Sequence, residues 1–306
     1  MKNISANNTE NLATEKRNPL TASIDRMDSF SMLQTINNED KTVPLAVEKE
    51  LPNIALAVDA ITNAIKAGGR LFYCGAGTSG RLGVLDASEC PPTFGTDPGL
   101  VVGLIAGGSE ALLHAIEGAE DSDTLCVSDL QSHDFKNTDI LCGIAASGRT
   151  PYVIGGMKYA RSVGAKVISI TCSPDSEMSR IADIAITPIV GPEVITGSTR
   201  LKAGTAQKLV LNMLTTATMI KLGRVYGNLM VDVQPTNKKL IERAKRIVSQ
   251  ALSPNAPDRE DIESTLSLCG YRPKVAIVML KLNVSAAEAE ALLEKNDGHL
   301  YKALEN

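Results

Sequence analysis

The chain has 306 residues, of which 43% are hydrophobic, and its formal net charge is −4. This length and hydrophobic content are sufficient for one large core, or for a large core and a small one. The acidic balance, the lack of tryptophan and the presence of only four Phe and six Tyr argue against a nucleic-acid surface, which usually needs a basic field and often stacking rings.

The N-terminal residues and the apolar runs predict where the protein is located. Residues 1–17 are polar and rich in asparagine, with no apolar core of signal-peptide length. No run elsewhere in the sequence is long enough to span a bilayer. We therefore expect a cytoplasmic protein.

The cysteines and histidines give no sign of a disulfide framework or a metal site. The cysteines are Cys74, Cys90, Cys126, Cys142, Cys172 and Cys269. They have no paired spacing of the Cys-x-x-Cys kind and most stand in apolar surroundings, so we expect buried thiols. The histidines are His114, His133 and His299, none at ligand spacing from another. We expect no metal.

The first 67 residues are predicted to form an arm followed by a helix. Residues 1–42 are expected to be an irregular N-terminal arm with a short helix near 23–37. The segment 43–67 then carries apolar residues at helical spacing and stops at Gly68 and Gly69. This pattern predicts one helix that leads into the first strand.

Apolar strand-like runs recur after this helix, with helical segments between them. They lie at 71–74, 100–105, 140–145, 166–171 and 184–189. Strands that alternate with helices predict an α/β fold, a doubly wound and mostly parallel five-stranded sheet with helices on both faces. In such sheets, ligands bind beyond the carboxyl ends of the strands, where the strand order reverses.

The glycine-rich turn after the first strand indicates a phosphate site. Gly75, Gly77 and Gly80 permit close approach and unusual backbone angles, and the N–H groups at a helix start attract anions. Thr78 and Ser79 add hydroxyl donors. The same letters fit a dinucleotide fingerprint, but the acidic residue expected at the end of the next strand is missing, so a nicotinamide cofactor is not favoured.

Two further polar clusters follow later in the sequence. The turn 146–150, after the third predicted strand, is rich in hydroxyls, and we expect it to face the same pocket as the first turn. The cluster 197–208 begins a helix that is predicted to run to about residue 222. Arg200 and Lys202 near its start oppose the helix dipole, so they either bind an anion or pair with a carboxylate such as Glu193.

From residue 237 onward the pattern changes to short helices. We predict helices at 238–251, 258–269, 274–281, 285–293 and 299–304. The basic run within 238–246 is interspersed with Glu242 and is typical of a solvated helix face. The predicted domains are therefore the arm at 1–42, an α/β domain with the phosphate site at 43–236 and a small all-α domain at 237–306.

Several of these motifs together resemble a known family. Gly-Ala-Gly-Thr-Ser-Gly-Arg-Leu-Gly at 75–83, Ser-Gly-Arg-Thr at 147–150 and the block at 197–208 resemble the sugar isomerase (SIS) domain. More specifically, Asp-Ala-Ser-Glu-Cys-Pro-Pro-Thr at 86–93, Ile-Ala-Gly-Gly at 105–108, Glu-Gly-Ala-Glu-Asp-Ser at 117–122, the segment 14–19 and the region 275–304 resemble the N-acetylmuramic acid 6-phosphate etherases. The resemblance covers nearly the whole chain.

The resemblance implies an activity and a set of site residues. These etherases cleave the bond between C3 of the amino sugar and its lactyl group, which gives N-acetylglucosamine 6-phosphate and D-lactate, without a cofactor. The two functional carboxylates of the family map onto Glu89 and Glu120. The residues expected to bind substrate and phosphate are Gly77, Thr78, Ser79, Gly80, Ser147, Gly148, Thr150, Ser198 and Lys202. Ala145 departs from many SIS relatives, which carry serine two positions before Ser147.

The chemistry of this elimination explains why two carboxylates are needed. In the open-chain sugar, C2–H is acidified by the C1 aldehyde, whereas the C3 ether oxygen leaves poorly unless it is protonated. A base and an acid are therefore required, and water addition reuses them in reverse. We take Glu89 as the acid and Glu120 as the C2 base, although the sequence does not assign these roles. Without the family, the usual interpretation of Glu89 at a helix end is a solvated carboxylate.

Other predictions concern the helices that carry these groups. Pro91 and Pro92 are expected to end the helix directly after Glu89. His114, placed on one helix with Glu117, either orients a carboxylate, assists ring opening or is an ordinary surface or core side chain.

The spacing of Ser79 and Glu89 leaves two arrangements open. The ten residues between them span about 15 Å if helical, whereas the phosphate and C3 of a hexose are about half as far apart. Either the helix ends early, or Glu89 serves the partner's site in a homodimer, which the family resemblance favours. The alternative function is a non-catalytic sugar-phosphate sensor, which would not need an acid and base pair.

Overall fold

The computed structural model of the chain describes residues 15–235 and 237–305. These residues form two compact units. Unit 1 contains the described residues up to Ala87 together with Gly99–Leu214, and unit 2 contains Ser88–Pro98 and the described residues from Thr215 onward. The predicted domain boundaries after residues 42 and 236 stay a prediction, because a compact unit need not be an independent domain. Residues 1–14 of the predicted arm lie outside the described residues.

Unit 1 is built around a sheet of five parallel strands. The strands are β1 (Leu71–Gly75), β2 (Val101–Ile105), β3 (Ile140–Ile144), β4 (Lys166–Ile170) and β5 (Ile184–Ile186). Their order is β2-β1-β3-β4-β5, and every neighbouring pair is parallel. The predicted α/β sheet is confirmed, with strand ends that differ by a few residues at most.

The helices of unit 1 cover both faces of this sheet. They are α1 (Ser29–Asp40), α2 (Val43–Glu48), α3 (Leu51–Lys66), α4 (Gly77–Phe94), α5 (Leu125–Ser132), α6 (Pro151–Ser162), α7 (Glu177–Ile181) and α8 (Lys202–Lys221), of which α4 and α8 continue into unit 2. Phe72 packs with Tyr152 and Met157 on one face. On the other face, Gly83 of α4 lies directly against Tyr73.

The segment 43–67 forms two helices, so the prediction of a single helix was wrong. The helix α2 ends at Glu48, and α3 begins at Leu51. Each of the two has a proline, Pro44 or Pro52, in its first turn. Proline suits a helix start because the N–H that it lacks has no intrahelical partner there. Pro52 would instead interrupt the interior of a continuous helix.

Unit 2 has its own apolar core among short helices. They are α9 (Lys238–Leu252), α10 (Arg259–Leu268), α11 (Pro273–Leu282), α12 (Ala286–Lys295) and α13 (Leu300–Glu305). Ile247, Leu266 and Ile277 are buried together in this core. All five helices that the sequence predicted after residue 237 are present. In the part of the chain that the structure describes, no helix is long and apolar enough to cross a membrane.

The strand order determines where a ligand site can form. The chain passes from β1 outward to β2 and then returns to the opposite side of β1 to form β3. The order therefore reverses between β1 and β3, and the turns after these two strands are neighbours. Open parallel sheets bind their ligands in the crevice at such a reversal.

Candidate functional site

The glycine-rich turn after β1 brings the start of α4 close to the strand. A Cβ on Gly75 would lie 2.7 Å from the Gly80 nitrogen, and a Cβ on Gly80 would lie 2.6 Å from Cγ1 of Ile105. Gly77 has a left-handed φ of +53°. These positions exclude larger side chains, and Thr78 and Ser79 lie in the first turn of α4. The backbone N–H groups of Gly77, Thr78 and Ser79 have no intrahelical acceptor, so they are available to an anion, whereas the Gly80 N–H donates to Ala76 O over 3.2 Å.

The turn after β3 is compact for a similar reason. Gly148 has a φ of +65°, and a Cβ there would lie 2.4 Å from Ser176 Cβ. Thr150 is the N-cap of α6, but its side chain makes no capping hydrogen bond. The hydroxyl of Thr150 is therefore free to bind a ligand at the start of this helix.

One cavity lies between the two turns. Its volume is about 260 Å³, and it is lined by Glu15, Ala76, Gly77, Thr78, Ser79, Glu120, Ala145, Ala146, Ser147, Thr150, Gly197 and Thr199. The two turns line the same pocket, as predicted. Among the described residues, the hydroxyls of Thr78, Ser147 and Thr150 have no hydrogen-bond partner, and the same is true of Thr199. The cavity thus offers several unused donors.

Ser79 is the most buried hydroxyl of the cavity and is held by a neighbouring helix. Its Oγ donates to Oε1 of Gln207 on α8 over 2.9 Å. The Gln207 side chain is buried, and its Nε2 has no hydrogen-bond partner in the described structure. Rotation of this amide by 180° would let Nε2 donate to Ser79 Oγ and would direct the serine proton elsewhere. Ser79 can therefore become a donor to a ligand without losing its contact with Gln207.

Glu120 lines this cavity and also a second one of about 190 Å³ beside it. The two cavities share Ala76, Gly77 and Glu120. Glu120 thus lies where the two cavities meet. Glu120 itself lies in a short 3-10 helix, Ala119–Asp121, after the left-handed Gly118.

The loop before Glu120 is not the helix that the sequence suggested for His114 and Glu117. The described backbone there is a 3-10 helix, Gly108–Leu112, followed by turns. The left-handed glycines on either side of this segment interrupt an α-helix, and Arg81 of α4 holds the loop instead. Its Nε donates to Leu112 O over 3.1 Å and its Nη2 to His114 O over 3.4 Å.

His114 and Glu117 are exposed and line only the second cavity. The His114 ring has no partner among the described residues. A role for His114 in orienting a carboxylate therefore finds no support in the contacts of its ring. The interpretation of His114 as a surface side chain beside the second cavity fits these contacts better.

Glu89 lies on α4, the helix that begins at the glycine-rich turn after β1. It is exposed, and Asp86, one turn earlier, is fixed by Tyr73 Oη at 3.0 Å and by Asn212 Nδ2 at 2.9 Å. The prediction that Pro91 ends the helix was wrong, because α4 continues to Phe94. Both prolines fall in its last turns, and the helix ends at the left-handed Gly95, whose N–H donates to Pro91 O over 2.9 Å.

The helix α4 runs without a break from Gly77 past Glu89 to Phe94. Along this helix, ten residues separate Ser79 from Glu89, which is a rise of about 15 Å. Of the two glutamates, only Glu120 lines the cavity. The arrangement in which the helix ends early is therefore excluded by the structure.

Lys202, predicted as a ligand of the substrate, is buried and already paired. Its Nζ lies 2.6 Å from Oε2 of Glu39. Glu193 accepts hydrogen bonds from the backbone nitrogens of Lys202 and Ala203, each over 2.9 Å, and so caps α8. Of the two open alternatives, pairing with a carboxylate holds for Lys202, although the partner is Glu39. Ser198 is half-buried and, like Gly80, Gly148 and Lys202, does not line the cavity.

All six cysteines are buried and free, as predicted. Cys172 follows the carboxyl end of β4. Burial raises the pKa of its thiol to about 12, and the nearby Glu193 carboxylate adds to the shift. Cys172 is therefore protonated at neutral pH and is not a nucleophile.

Sequence reasoning assigned no site role to several residues of the cavity, among them Thr199 and Glu15. Glu15 belongs to the segment 14–19 that resembles the etherases, but no role was assigned to it. The signal that could have found it is its place in that segment. A segment far from the sheet in sequence that shares a family's pattern is a candidate to reach the site.

Comparison with known proteins identifies the domain and close relatives. Residues 53–161 match the model described as "Glucokinase regulatory protein N-terminal SIS domain", and residues 131–217 match the SIS domain. An N-acetylmuramic acid 6-phosphate etherase of Clostridium botulinum (strain Hall) is 58% identical over 295 residues, which are 96% of this chain and 97% of the relative.

Two further similarities complete this comparison. An N-acetylmuramic acid 6-phosphate etherase of Vibrio campbellii is 59% identical over 295 residues, which are 96% of this chain and 95% of the relative. Among solved structures, a phosphoheptose isomerase from Neisseria gonorrhoeae is 18% identical, covers 62% of this chain and 98% of its own, and gives a TM-score of 0.49.

Proposed function

The chain belongs to the N-acetylmuramic acid 6-phosphate etherase family, and we propose that its cavity at the reversal of strand order binds this sugar phosphate and cleaves its lactyl ether. The products are N-acetylglucosamine 6-phosphate and D-lactate. The observation that supports this site is a single cavity that combines unused hydroxyls, two helix N-termini and the Glu120 carboxylate.

The phosphate is proposed to bind at the turns after β1 and β3, which together we call the cradle. The first turn of α4 offers backbone N–H groups and the hydroxyls of Thr78 and Ser79, and the start of α6 offers Ser147 and Thr150. Anions are stabilised at helix N-termini by the helix dipole and by these unpaired donors. Because Lys202 is held by Glu39, we assign phosphate binding to hydroxyls and backbone groups and not to that ammonium.

The reaction is proposed to proceed by elimination and water addition. Glu120 removes the C2 proton of the open-chain sugar, and Glu89 protonates the C3 ether oxygen so that lactate leaves with the electron pair of the broken C3–O bond. The resulting C2=C3 double bond then accepts water. Glu89 takes a proton from that water as its oxygen adds to C3, and Glu120 returns a proton to C2.

We further propose that Glu89 acts in the site of a partner subunit. A rise of about 15 Å along α4 is too long for Ser79 and Glu89 of one chain to reach both ends of one hexose phosphate. A two-fold homodimer is the commonest assembly and would let each α4 deliver Glu89 to the other subunit's cavity. A cytoplasmic location is also proposed, since six free cysteines fit a reducing compartment.

Incubation of the protein with N-acetylmuramic acid 6-phosphate in labelled water tests this function directly. We expect D-lactate to accumulate, with solvent deuterium at C2 of the amino sugar and solvent oxygen at C3. Oxygen label in lactate would indicate cleavage on the other side of the ether. Absence of lactate together with tight binding of the sugar phosphate would instead support a sensor, the alternative that the match to the glucokinase-regulator domain favours.

The phosphate contacts predict a separate effect on substrate affinity. Ser79→Ala and Ser147→Ala should each raise KM more than they lower kcat, because the phosphate is remote from the broken bond. Each lost charge-assisted hydrogen bond should cost about 1.5 to 3 kcal/mol. Steady-state kinetics measure this, with Ser162→Ala at the exposed end of α6 as the control. An unchanged KM in both variants would place the phosphate elsewhere.

A further inference from the structure

Glu15 is the one acidic residue besides Glu120 in the lining of the phosphate cavity. Its Oε2 would lie 3.2 Å from a Cβ on Gly197. Gly197 has a left-handed φ of +78° and no side chain, so it leaves the space that the carboxylate occupies. The Glu15 carboxylate therefore lies over Gly197 at the edge of the cavity.

The chain segment that carries Glu15 is anchored by buried polar groups. Asn18 Nδ2 donates to Glu39 Oε2 over 2.8 Å, and Lys202 Nζ lies 2.6 Å from the same oxygen. Thr21 Oγ1 donates to Val194 O over 2.8 Å. Buried polar groups are costly when they are left without partners, so these contacts keep the segment on unit 1. Glu15 therefore lies only three residues before Asn18, which is fixed to Glu39.

Among the residues that the structure describes, none pairs with the Glu15 carboxylate. It has no hydrogen bond and no ion pair with any of them. An ionised carboxylate only accepts hydrogen bonds, and the phosphate ester of a sugar is mostly a dianion without a proton at neutral pH, so it also offers acceptors and negative charge. Glu15 therefore cannot bind the phosphate and repels it. Its natural partners in this cavity are the donors of the sugar, which are hydroxyl and amide N–H groups.

We propose that Glu15 accepts hydrogen bonds from hydroxyl or amide N–H groups of the sugar and so favours sugar phosphates over phosphates that carry no sugar. This inference rests on the proposed function, because it assumes that the cavity binds a sugar phosphate. It assigns to the segment before α1 a direct part in substrate recognition. The remaining hydroxyl of the lining belongs to Thr199, two residues after Gly197.

Because Glu15 is charged, its removal should change the binding of a sugar phosphate and of a phosphate without sugar in different directions. For Glu15→Gln, the dissociation constant of N-acetylglucosamine 6-phosphate should rise about ten- to a hundredfold, as expected for lost hydrogen bonds to a charged group. The inhibition constant of methyl phosphate, measured at about pH 8 where this ester is a dianion without a P–OH donor, should stay the same or fall, because a repulsive charge is gone. Isothermal titration and competitive inhibition measure the two constants.

Two variants serve as controls for geometry and for general charge. Glu15→Asp keeps the charge but withdraws it by one methylene, so it should weaken binding of the sugar phosphate and leave the inhibition constant of methyl phosphate unchanged. Glu48→Gln removes the same charge from an exposed position of α2 outside the cavity and should change neither constant. In the parent protein, the Glu48 side chain has no partner among the described residues.

The outcomes separate this inference from the proposed function. If Glu15→Gln binds both ligands more tightly, Glu15 only repels the phosphate, and if it binds the sugar phosphate as the parent protein does, Glu15 is a spectator. In either case the inference is wrong. If the parent protein releases no D-lactate and does not bind N-acetylglucosamine 6-phosphate, the proposed function has failed and the inference fails with it. A rise confined to the sugar phosphate supports the inference.

Discussion

Glu89→Gln is expected to lower kcat by about 100- to 10,000-fold while KM stays within a few-fold, because general acid catalysis typically contributes this much. A glutamine has no acidic proton to give to the lactyl oxygen, yet it has the same shape and leaves the buried Asp86 contacts of α4 untouched. Steady-state kinetics measure the effect. Glu294→Gln, an exposed position of α12, is the control for loss of one charge. Near-normal turnover would show that Glu89 is not the acid.

Exchange of the C2 proton distinguishes the two glutamates. In heavy water, Glu89→Gln should still place deuterium at C2 of recovered substrate, because the base remains and only departure of lactate is blocked. Glu120→Gln should lose both exchange and lactate release. Exchange that survives in Glu120→Gln and is lost in Glu89→Gln would reverse the two assignments. Mass spectrometry of the recovered sugar measures it.

The sheet and the two turns could be predicted from the sequence because their causes are local. Strands buried on both faces give apolar runs such as Leu71–Gly75, and glycines mark the turns that follow them. The close approach of Gly75 to Gly80 requires glycine at both positions, so the sequence alone indicates this turn. The glutamates came from the family resemblance, since a lone Glu89 at an exposed helix position has no pattern of its own.

The parts that the sequence did not predict depend on contacts between distant residues. Lys202 was predicted as an anion ligand because its charge opposes the helix dipole, with the nearby Glu193 as the alternative partner, yet its partner Glu39 lies 163 residues earlier. The loop before Glu120 looked helical, but Arg81, 31 residues before Leu112, holds its carbonyl groups in another conformation. Glu15 likewise reaches the cavity through a segment anchored at Val194. Such pairings follow from the fold and not from local propensity.

The continuous α4 leads to a prediction for mixed subunits. If Glu89 of one subunit completes the cavity of its partner, a dimer of Glu89→Gln with Ser79→Ala/Ser147→Ala owns one intact site, made of the cradle of the first chain and Glu89 of the second. Random exchange makes about half of the dimers mixed, and each has one working site in two, so about a quarter of the activity should return at substrate concentrations far below the raised KM of the serine double variant. Purified mixed dimers should reach about a half.

The matched control for this experiment pairs two defects that the proposal places in the same cavity. Glu120→Gln mixed with Ser79→Ala/Ser147→Ala has both Glu89 carboxylates intact. The Glu120→Gln chain, however, retains the cradle but lacks the base, and the other chain retains the base but lacks the cradle. No activity should return in this mixture, because Glu120 and the two serines line one cavity of one chain. Recovery of activity only in the first mixture, after subunit exchange is verified with differently tagged chains, supports the shared site. Equal absence of recovery in both mixtures would place Glu89 in the site of its own subunit.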